Sequence, residues 1–383
     1  MTVTFPAGFL AAGVSAGLKA TGARDVAVLV NTGPSDVAAA VWTSNRCRAN
    51  PVLWSEQAVM DGHARVVVVN SGGANCYTGP AGFQATHATA ELAARLNGCA
   101  PVDVVVCSTG LIGHLNDEPA LLGGVEAAMA AASPDGGAAA AEAIMTTDTV
   151  SKQAVVDTGA WSVGGIAKGA GMLAPGLATM LVFVTTDADV SPAVADAALR
   201  SATRVTFDRL DSDGCMSTND SVVLLASGSS GRRPEPGDFT AALTALCRDL
   251  ARQLQRDAEG ADHDIDITVG GAATESDAVD VARAVARSNL FKCAIYGRDP
   301  NWGRILASIG TTSAVFDPAD LDVALNGVWV CRKSRPGDDR DLVDLDAREV
   351  AVEIDLKSGD AEATIWTSDL TGAYVHANSA YAS

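Results

Sequence analysis

Residues 168–188 read KGAGMLAPGLATMLVFVTTDA and join a segment rich in glycine and proline to an apolar, β-branched run. Because β-branched and aromatic residues favour strands, this run predicts a strand that opens at Thr179. Glycine and proline directly before the strand indicate a turn. A turn at a rigid strand end can aim backbone N–H groups and hydroxyls into a cleft, so this junction is a candidate functional region.

Similar runs alternate with alanine-rich helical patterns along the whole chain, which is typical of an α/β protein. The segments that predict strands are DVAVLVN (25–31), ARVVVVN (64–70), VDVVVCS (102–108), TMLVFVTT (179–186), SVVLLAS (221–227), DIDITV (264–269), FKCAIYG (291–297) and EVAVEIDL (349–356). The segments that predict helices, with apolar residues three to four apart, are 82–97, 119–133, 191–205, 239–258 and 275–289. Ser191 is a candidate N-cap, and Gly98 is a candidate C-cap.

The length of 383 residues suits about two domains, at roughly 150 residues per domain. Near residue 315 the sequence becomes strand-rich and strongly acidic, which indicates a smaller lobe. We expect a main domain over residues 1–285 and a C-terminal α/β lobe over residues 286–383.

The charge balance argues against nucleic acid and membranes as partners. Lys and Arg number 27 against 46 Asp and Glu, and the formal net charge of −19 repels polyanions. The longest apolar runs fall short of the ~20 residues that a membrane helix needs. No basic segment precedes apolar residues at the start of the sequence, so we expect no signal peptide and a cytoplasmic location.

The cysteines and histidines show no metal-binding or disulfide pattern. Eight cysteines are scattered without a C-x-x-C pair, and the five histidines lie far apart in the sequence. Such cysteines are typical of free thiols in a reducing compartment. We therefore expect neither a metal nor a cofactor.

Three strands are predicted to end in polar glycine turns: VVVVNSGGAN (66–75), VVVCSTGLIG (104–113) and KGAGMLAPGLATML (168–181). None has the glycine spacing of a phosphate-binding or dinucleotide-binding loop. Taken singly, each turn could simply need glycine for its backbone conformation. Three such turns in one chain favour a functional cleft.

Thr179 is the remaining candidate nucleophile, because the sequence has no G-x-S-x-G elbow and no cysteine near a histidine. A threonine hydroxyl needs a base, and a chain-terminal threonine supplies one from its own α-amino group. Thr179 would acquire that amine by hydrolysis of the Ala178–Thr179 bond. The simpler alternative is that Thr179 is only a β-branched residue opening a strand.

The sequence resembles the ornithine acetyltransferase family, the glutamate N-acetyltransferases of arginine biosynthesis, over nearly its whole length. The motifs that carry the resemblance are VVVVNSGGANCYTGPAGF (66–83), CSTGLIG (107–113), IMTTDT (144–149), AKGAGMLAPGLATMLVFVTTDA (167–188), DGCMSTNDSVVLLASG (213–228), DAEGADHDI (257–265), FKCAIYGRDPNWGRI (291–305) and WTSDLTGAYVHANSAYAS (366–383).

The resemblance implies a fold of two β-layers between helical layers, shared with self-processing aminopeptidases, and a smaller α/β lobe. It also implies a precursor that cleaves itself into residues 1–178 and 179–383, which stay associated as an α2β2 heterotetramer. Thr179 would be the nucleophile, and Thr109 with Gly110 the oxyanion hole. The implied substrate-binding residues are Thr146, Lys168, Thr179, Glu259, Asn378 and Ser383.

Three positions depart from the pattern of the family. Gly73 and Gly176 stand where asparagine is common, and His263 stands where a lysine is usual. None of them removes an implied catalytic group. The change at His263 puts in doubt how closely the loop after Glu259 follows the family's substrate contacts.

The reaction implied by the resemblance moves acetyl from N2-acetyl-L-ornithine to L-glutamate through an acetyl-threonine intermediate, and acetyl-CoA is a second candidate donor. One alternative is a self-processed aminopeptidase or amidase that uses the same threonine. Another is a binding protein with an intact chain.

Overall fold

The computed structural model of the chain describes residues 2–174 and 180–380. Within these residues, three sheets are formed by the strands β1 (Phe9–Val14), β2 (Val26–Asn31), β3 (Val37–Trp42), β4 (Val66–Gly73), β5 (Val104–Leu111), β6 (Lys152–Asp157), β7 (Ser162–Lys168), β8 (Leu181–Thr186), β9 (Ser221–Ala226), β10 (Asp264–Ala272), β11 (Asp322–Leu325), β12 (Val328–Arg332), β13 (Arg335–Pro336), β14 (Glu349–Asp355) and β15 (Ala361–Ser368). The helices are α1 (Asn50–Ala58), α2 (Gly79–Asn97), α3 (Glu118–Ala131), α4 (Gly137–Ala143), α5 (Pro192–Arg204), α6 (Pro236–Arg256), α7 (Glu275–Ala286), α8 (Asn289–Tyr296), α9 (Trp302–Ile309) and α10 (Gly372–Ala380).

The first sheet has the strand order β1-β2-β4-β5, with β4 and β5 parallel. Its strands are nearly continuous apolar runs, which is typical of a sheet that is covered on both faces. Val28, Val68 and Val106 pack on one face with Leu92 of α2 and Leu121 of α3. These two helices form an outer layer.

The second sheet has the order β3-β9-β8-β7-β6, so β8 lies at its centre. All six residues of β8 are buried, and the strand pairs antiparallel with β7 and parallel with β9. Val182 and Val184 point to the face covered by α5 and α6, where Leu199 and Leu246 complete the core. These helices form the opposite outer layer.

The inner faces of the two sheets pack on each other. Leu29, Val67 and Val105 of the first sheet share one core with Phe183 and Val223 of the second. The main body is therefore a sandwich of two β-layers between helical layers, and the expected fold class is confirmed.

The third sheet has the order β13-β12-β11-β14-β10-β15 and packs against α7, α8 and α9 around a core of its own. Its strand β10 pairs with β14 and β15, although β10 lies N-terminal to the expected boundary at residue 285. We propose that this lobe begins near residue 263, because β10 and α7 bury their apolar residues in its core.

The prediction of a strand at FKCAIYG (291–297) is wrong, because these residues fall in and directly after α8. Ser288 caps the helix and accepts a hydrogen bond from the N–H of Phe291. Phe291, Ala294 and Ile295 are buried at helical spacing. A short apolar run fits the residue spacing of a strand as well as that of a helix. Here the Ser288 cap before the run favours the helix.

The two predicted helix caps are confirmed. The Ser191 hydroxyl accepts a hydrogen bond from the N–H of Val194 at the start of α5. Gly98 ends α2 in the left-handed conformation, at φ 73°. In the part of the chain that the structure describes, no helix is both long and apolar enough to cross a membrane.

Candidate functional site

The first two glycine turns lie side by side at the ends of β4 and β5, where Gly72 is paired with Gly110. Gly110 has φ 124°, and a Cβ atom there would lie 2.7 Å from the carbonyl group of Gly72. Only glycine fits such a position without strain. This close approach presents Thr109 and Gly110 at the edge of the first sheet.

The third turn brings Lys168 to the same edge from the end of β7. Its Nζ donates a hydrogen bond of 3.1 Å to Oγ1 of Thr109. The side chain is 1% exposed, and this burial lowers the pKa of Lys168, although the charge of Asp148 acts in the opposite direction. The Thr109 hydroxyl of the first sheet and the Lys168 ammonium group of the second sheet are therefore in direct contact.

Asp148 holds the loop between α4 and β6 in place. It accepts hydrogen bonds from the N–H groups of Thr146 and Gly169 and from Lys152 Nζ, at 2.9, 2.6 and 2.7 Å. Burial alone would raise the pKa of Asp148, but the ammonium groups of Lys168 and Lys152 keep it below the ordinary value. Thr146 is thereby fixed beside Lys168.

Glu259 and Asn378 approach the turn from the other side. Asn378 Nδ2 donates to Oε2 of Glu259 at 3.0 Å, and the N–H of Glu259 donates to the carbonyl of Ala170 at 3.0 Å. A Cβ atom on Gly171 would lie 2.6 Å from both carboxylate oxygens of Glu259. Glycine at 171 therefore lets the carboxylate pack directly on the turn.

One small cavity of about 70 Å³ collects these groups. It is lined by Thr109, Gly110, Thr146, Thr147, Lys168, Gly171, Met172, Glu259 and Asn378. Six residues that the sequence predicted for the site thus share one cavity, and their individual roles stay predictions. The predicted Ala178, Thr179 and Ser383 lie outside the described residues. A larger cavity of about 490 Å³ adjoins this one and shares Thr147, Glu259 and Asn378.

The structure describes the surroundings of two of the three positions that depart from the family pattern, Gly73 and His263. A Cβ atom at Gly73 would lie 2.9 Å from the Asn116 side-chain oxygen and the His114 carbonyl, so glycine fits this tight packing. His263 is buried and bonded through Nδ1 to Asp369 at 2.7 Å, and it does not line the cavity. Gly176 lies outside the described residues.

Sequence reasoning missed the charged groups behind the cavity wall. Lys152 Nζ lies 2.6 Å from Asp257 as well as contacting Asp148, and both partners are buried. Lys19 lies close enough to Lys168 for the two charges to interact, and burial lowers the pKa of Lys19 to about 8. Lys152 and Lys19 lie outside the motifs that carry the resemblance, and Asp257 lies in one of them without an implied role, so no spacing pattern identifies the three as one cluster.

Asn219 and Asp220 also have no individual role implied by the resemblance, although they lie in one of its motifs, at 213–228. Asn219 Nδ2 donates to the carbonyls of Ser108 and Ala74, at 2.8 and 2.7 Å. Asp220 Oδ1 accepts a hydrogen bond of 3.0 Å from the N–H of Met180. The pair connects the turn that carries Thr109 to the segment that directly follows Thr179 in the chain.

Fold and cavity together define a class of protein, a four-layer α/β/β/α sandwich whose strand ends converge on a hydroxyl, a buried lysine and a carboxylate. The model of the ArgJ family matches residues 10–383. The chain therefore belongs to the ArgJ family, and the family expected from the sequence is confirmed.

Two named relatives from the sequence comparison agree with this membership. The arginine biosynthesis bifunctional protein ArgJ of Streptomyces coelicolor is 61% identical over 100% of both chains. The protein of the same name from Mycobacterium leprae is 51% identical, over 100% of this chain and 96% of its own. A solved structure of ornithine acetyltransferase from Mycobacterium tuberculosis, complexed with ornithine, is 49% identical and covers 47% of this chain and 96% of its own, with a TM-score of 0.45.

Proposed function

We propose that the chain transfers the acetyl group of N2-acetyl-L-ornithine to L-glutamate, with Thr179 as the nucleophile. The observation that carries the proposal is the single cavity shared by Thr109, Gly110, Lys168 and Glu259. A buried cation, a hydroxyl beside it and a carboxylate are the groups that an N-acetyl amino acid needs, because it presents a carboxylate and an amide.

In the first step, Thr179 Oγ attacks the acetyl carbonyl carbon while the α-amino group of Thr179 takes the hydroxyl proton. The carbonyl oxygen becomes an oxyanion, which the Thr109 hydroxyl and the Gly110 N–H stabilise. Since Lys168 Nζ donates to Thr109 Oγ1, the hydroxyl hydrogen of Thr109 is free to point at the oxyanion. The C–N bond then breaks, ornithine leaves with the transferred proton, and an acetyl ester remains on Thr179.

In the second step, the amino group of glutamate attacks the ester carbonyl. The C–O bond breaks, the proton released by the new amide returns to Thr179 Oγ, and N-acetyl-L-glutamate leaves. The same oxyanion hole serves both steps, because both pass through a tetrahedral intermediate on the same carbon.

In this proposal, four residues bind different groups of the substrates: Lys168, Glu259, Thr146 and Asn378. Lys168 supplies the positive charge for a carboxylate, and Glu259 supplies an acceptor for an amino group. Thr146 and Asn378 add neutral hydrogen bonds. The larger adjoining cavity offers room for the part of the substrate that lies beyond these contacts.

Maturation belongs to the same proposal. The chain cleaves its own Ala178–Thr179 bond, and residues 1–178 and 179–383 assemble as α2β2 in the cytoplasm. The free cysteines in the described part of the chain suit a reducing compartment. Acetyl-CoA is a second candidate donor, which release of its thiol in the presence of glutamate would reveal.

Initial-rate kinetics test the proposal. A covalent acetyl-enzyme gives parallel double-reciprocal plots when both substrates are varied. Intersecting plots would contradict the intermediate. Faster hydrolysis of amino-acid amides than acetyl transfer to glutamate would favour the aminopeptidase alternative.

A further inference from the structure

Lys152 is the first residue of β6, and its ammonium group contacts two carboxylates from distant parts of the chain. Nζ lies 2.7 Å from Oδ1 of Asp148 and 2.6 Å from Oδ2 of Asp257. It also donates to the carbonyl of Val150 at 3.3 Å. These three acceptors match the three N–H groups of an ammonium, and the Lys152 side chain is fully buried. The side chain is therefore held in one position behind the cavity wall.

The first carboxylate connects Lys152 to two loops of the small cavity. Asp148 accepts hydrogen bonds from the N–H groups of Thr146 and Gly169, at 2.9 and 2.6 Å. Gly169 directly follows Lys168 in the chain. On this side, the contact holds the end of the cavity that carries the buried cation.

The second carboxylate connects Lys152 to the segment that carries Glu259. Asp257 is the C-cap of α6 and lies two residues before Glu259. It accepts hydrogen bonds from the N–H and the hydroxyl of Thr149, and the first of these measures 3.0 Å. Ala258, between the two acidic residues, is buried, so this short segment has little room to shift. Asp257 and Thr149 also line the larger adjoining cavity.

Lys152 thus provides a second connection between the two ends of the site. The first is the hydrogen bond of 3.0 Å from the N–H of Glu259 to the carbonyl of Ala170. One hydrogen bond fixes one point of a loop and lets the loop rotate about it. Two points of attachment fix the separation between the Glu259 carboxylate and the Lys168 ammonium group. Substrate-binding groups need this kind of support from residues behind them.

We propose that Lys152 is a positioning residue that selects the chain length of the substrate. The inference rests on the proposed function, in which Lys168 binds a carboxylate and Glu259 binds an amino group. The separation of these two residues must match the number of methylene groups between the two substrate groups. The favoured class is N2-acetyl diamino acids with the chain length of ornithine. The resemblance to the family implies no role for Lys152.

Loss of the Lys152 charge would loosen this spacing. Asp148 and Asp257 would then lie near each other without the cation that both contact, and like charges repel. The Asp257 side chain is 8% exposed, whereas that of Asp148 is 0% exposed. We therefore expect Asp257 to move, together with the segment that leads to Glu259.

The test compares two acetyl donors, with glutamate as the acceptor: N2-acetyl-L-ornithine and N2-acetyl-L-lysine, which has one more methylene group. One methylene changes kcat/KM by about 10-fold or more in a well-matched site, so the wild type should prefer acetylornithine by at least this factor. Lys152→Met keeps the length of the side chain and removes its charge. We expect it to lower the ratio of the two kcat/KM values on the order of 10-fold, towards equal use. A simple loss of folded enzyme lowers both values equally and leaves their ratio unchanged.

Asp257→Asn is a second variant of the same contact. It leaves Lys152 paired with Asp148 and keeps an oxygen for Thr149, so it disturbs the buried charges less than Lys152→Met does. It should lower the ratio in the same direction. This variant decides the question if Lys152→Met does not fold.

Arg209→Met is the matched control. Arg209 is also a buried cation, it pairs with Glu275, and it lines neither of the two cavities. This variant should lose stability and keep the wild-type ratio. An equal fall in its ratio would overturn the inference, because the change would then follow from stability alone.

An unchanged ratio in folded Lys152→Met, or in Asp257→Asn if the first variant does not fold, would overturn the inference. Equal use of the two donors by the wild type would overturn it as well, since there would be no selection to explain. A wild type that transfers no acetyl group from acetylornithine would instead overturn the proposed function, and this inference with it.

Discussion

At the scale of single residues, the site depends on buried charges that are held in fixed contacts. Lys168 is fully enclosed and donates to Thr109, while Asp148 compensates the charges of Lys168 and Lys152. A buried charge is tolerated only when it is paired and hydrogen-bonded. A substitution at any of these residues is therefore expected to change the stability or the kinetics of the protein measurably.

Thr109→Val removes the hydroxyl and keeps the shape of the side chain. We expect kcat for acetyl transfer to fall about 10²–10³-fold, as for the loss of one oxyanion-hole donor. Thr109→Ser retains the hydroxyl and serves as the control, with a much smaller loss. Wild-type kcat in a cleaved Thr109→Val enzyme would exclude the hydroxyl from the oxyanion hole.

The lowered pKa of Lys168 predicts a pH limit on substrate binding. Lys168 is a cation below its pKa, so its attraction for a carboxylate is present at low pH and disappears as the pH rises through that value. KM for glutamate should therefore increase at a lower pH than an exposed lysine would allow. A Lys168→Arg variant stays charged and should lack this increase, whatever its basal KM. A wild-type KM that stays constant up to the range of an exposed lysine would refute the assignment.

Asp148→Asn should destabilise the protein, because it leaves two buried ammonium groups without their shared partner. Removal of one member of a buried pair costs about 3–5 kcal/mol. Since the folded-state pKa of Asp148 is lowered, its contribution is present above the unfolded-state pKa and is lost as the pH falls through the folded value. Urea unfolding at neutral and acidic pH should show the difference between variant and wild type shrinking in acid.

Asp249 is exposed, so Asp249→Asn provides the control for this comparison. It should change the free energy of unfolding by no more than about 0.5 kcal/mol. Equal stability of Asp148→Asn and wild type at neutral pH would contradict the role given to this carboxylate.

At the scale of elements, the site is built where glycine turns end neighbouring strands. The ends of β4 and β5 touch each other through Gly72 and Gly110, and the turn after β7 carries Gly171 against Glu259. Such contacts leave no room for a side chain. The glycines therefore act through close packing at specific positions.

Gly171→Ala tests the third turn. Its new methyl group would lie 2.6 Å from the Glu259 carboxylate, so Glu259 must move away from the cavity. We expect KM for the amino-acid substrates to rise several-fold, measured by steady-state kinetics. Gly123→Ala in α3 meets no atom within 4 Å and should leave KM unchanged. Equal KM values for the two variants would show that Glu259 does not contact substrate.

All but one of the predicted strands are confirmed, because long β-branched runs such as those of β2, β4 and β9 fit a single interpretation. Alanine-rich strands such as β1 and β3 lack this signal and are not predicted. The run at 291–297 failed because a short apolar segment fits a helix equally well, and only the Ser288 cap distinguishes them. Six of the residues that the resemblance implies for the site line one cavity, and their roles stay predictions. The resemblance could not show that Asp148, Lys152 and Asp257 form one buried network, since that depends on tertiary contacts.

At the scale of the whole molecule, the predicted cleavage point lies in the sequence between two strands of one sheet, β7 and β8. Strands β3, β6 and β7 precede it, and β8 and β9 follow it, yet all five belong to the second sheet. The strand pairs β7–β8 and β3–β9 join the two fragments by continuous hydrogen-bonded ladders. Cleavage therefore need not separate the fragments.

This arrangement predicts that residues 1–178 and 179–383 co-purify after cleavage. They should elute together in native size-exclusion chromatography and separate only in denaturant, because each fragment would expose a strand edge and an apolar core alone. Fragments that separate under native conditions would contradict the shared sheet.

In the proposed reaction, Thr179 becomes a chain terminus and carries the acetyl group. Intact-mass analysis of the active enzyme, before and after incubation with N2-acetyl-L-ornithine, tests it directly. We predict two masses, for residues 1–178 and 179–383, with one acetyl group added to the second fragment through the Thr179 hydroxyl. A fully active preparation that consists of one unbroken 383-residue chain would contradict the account.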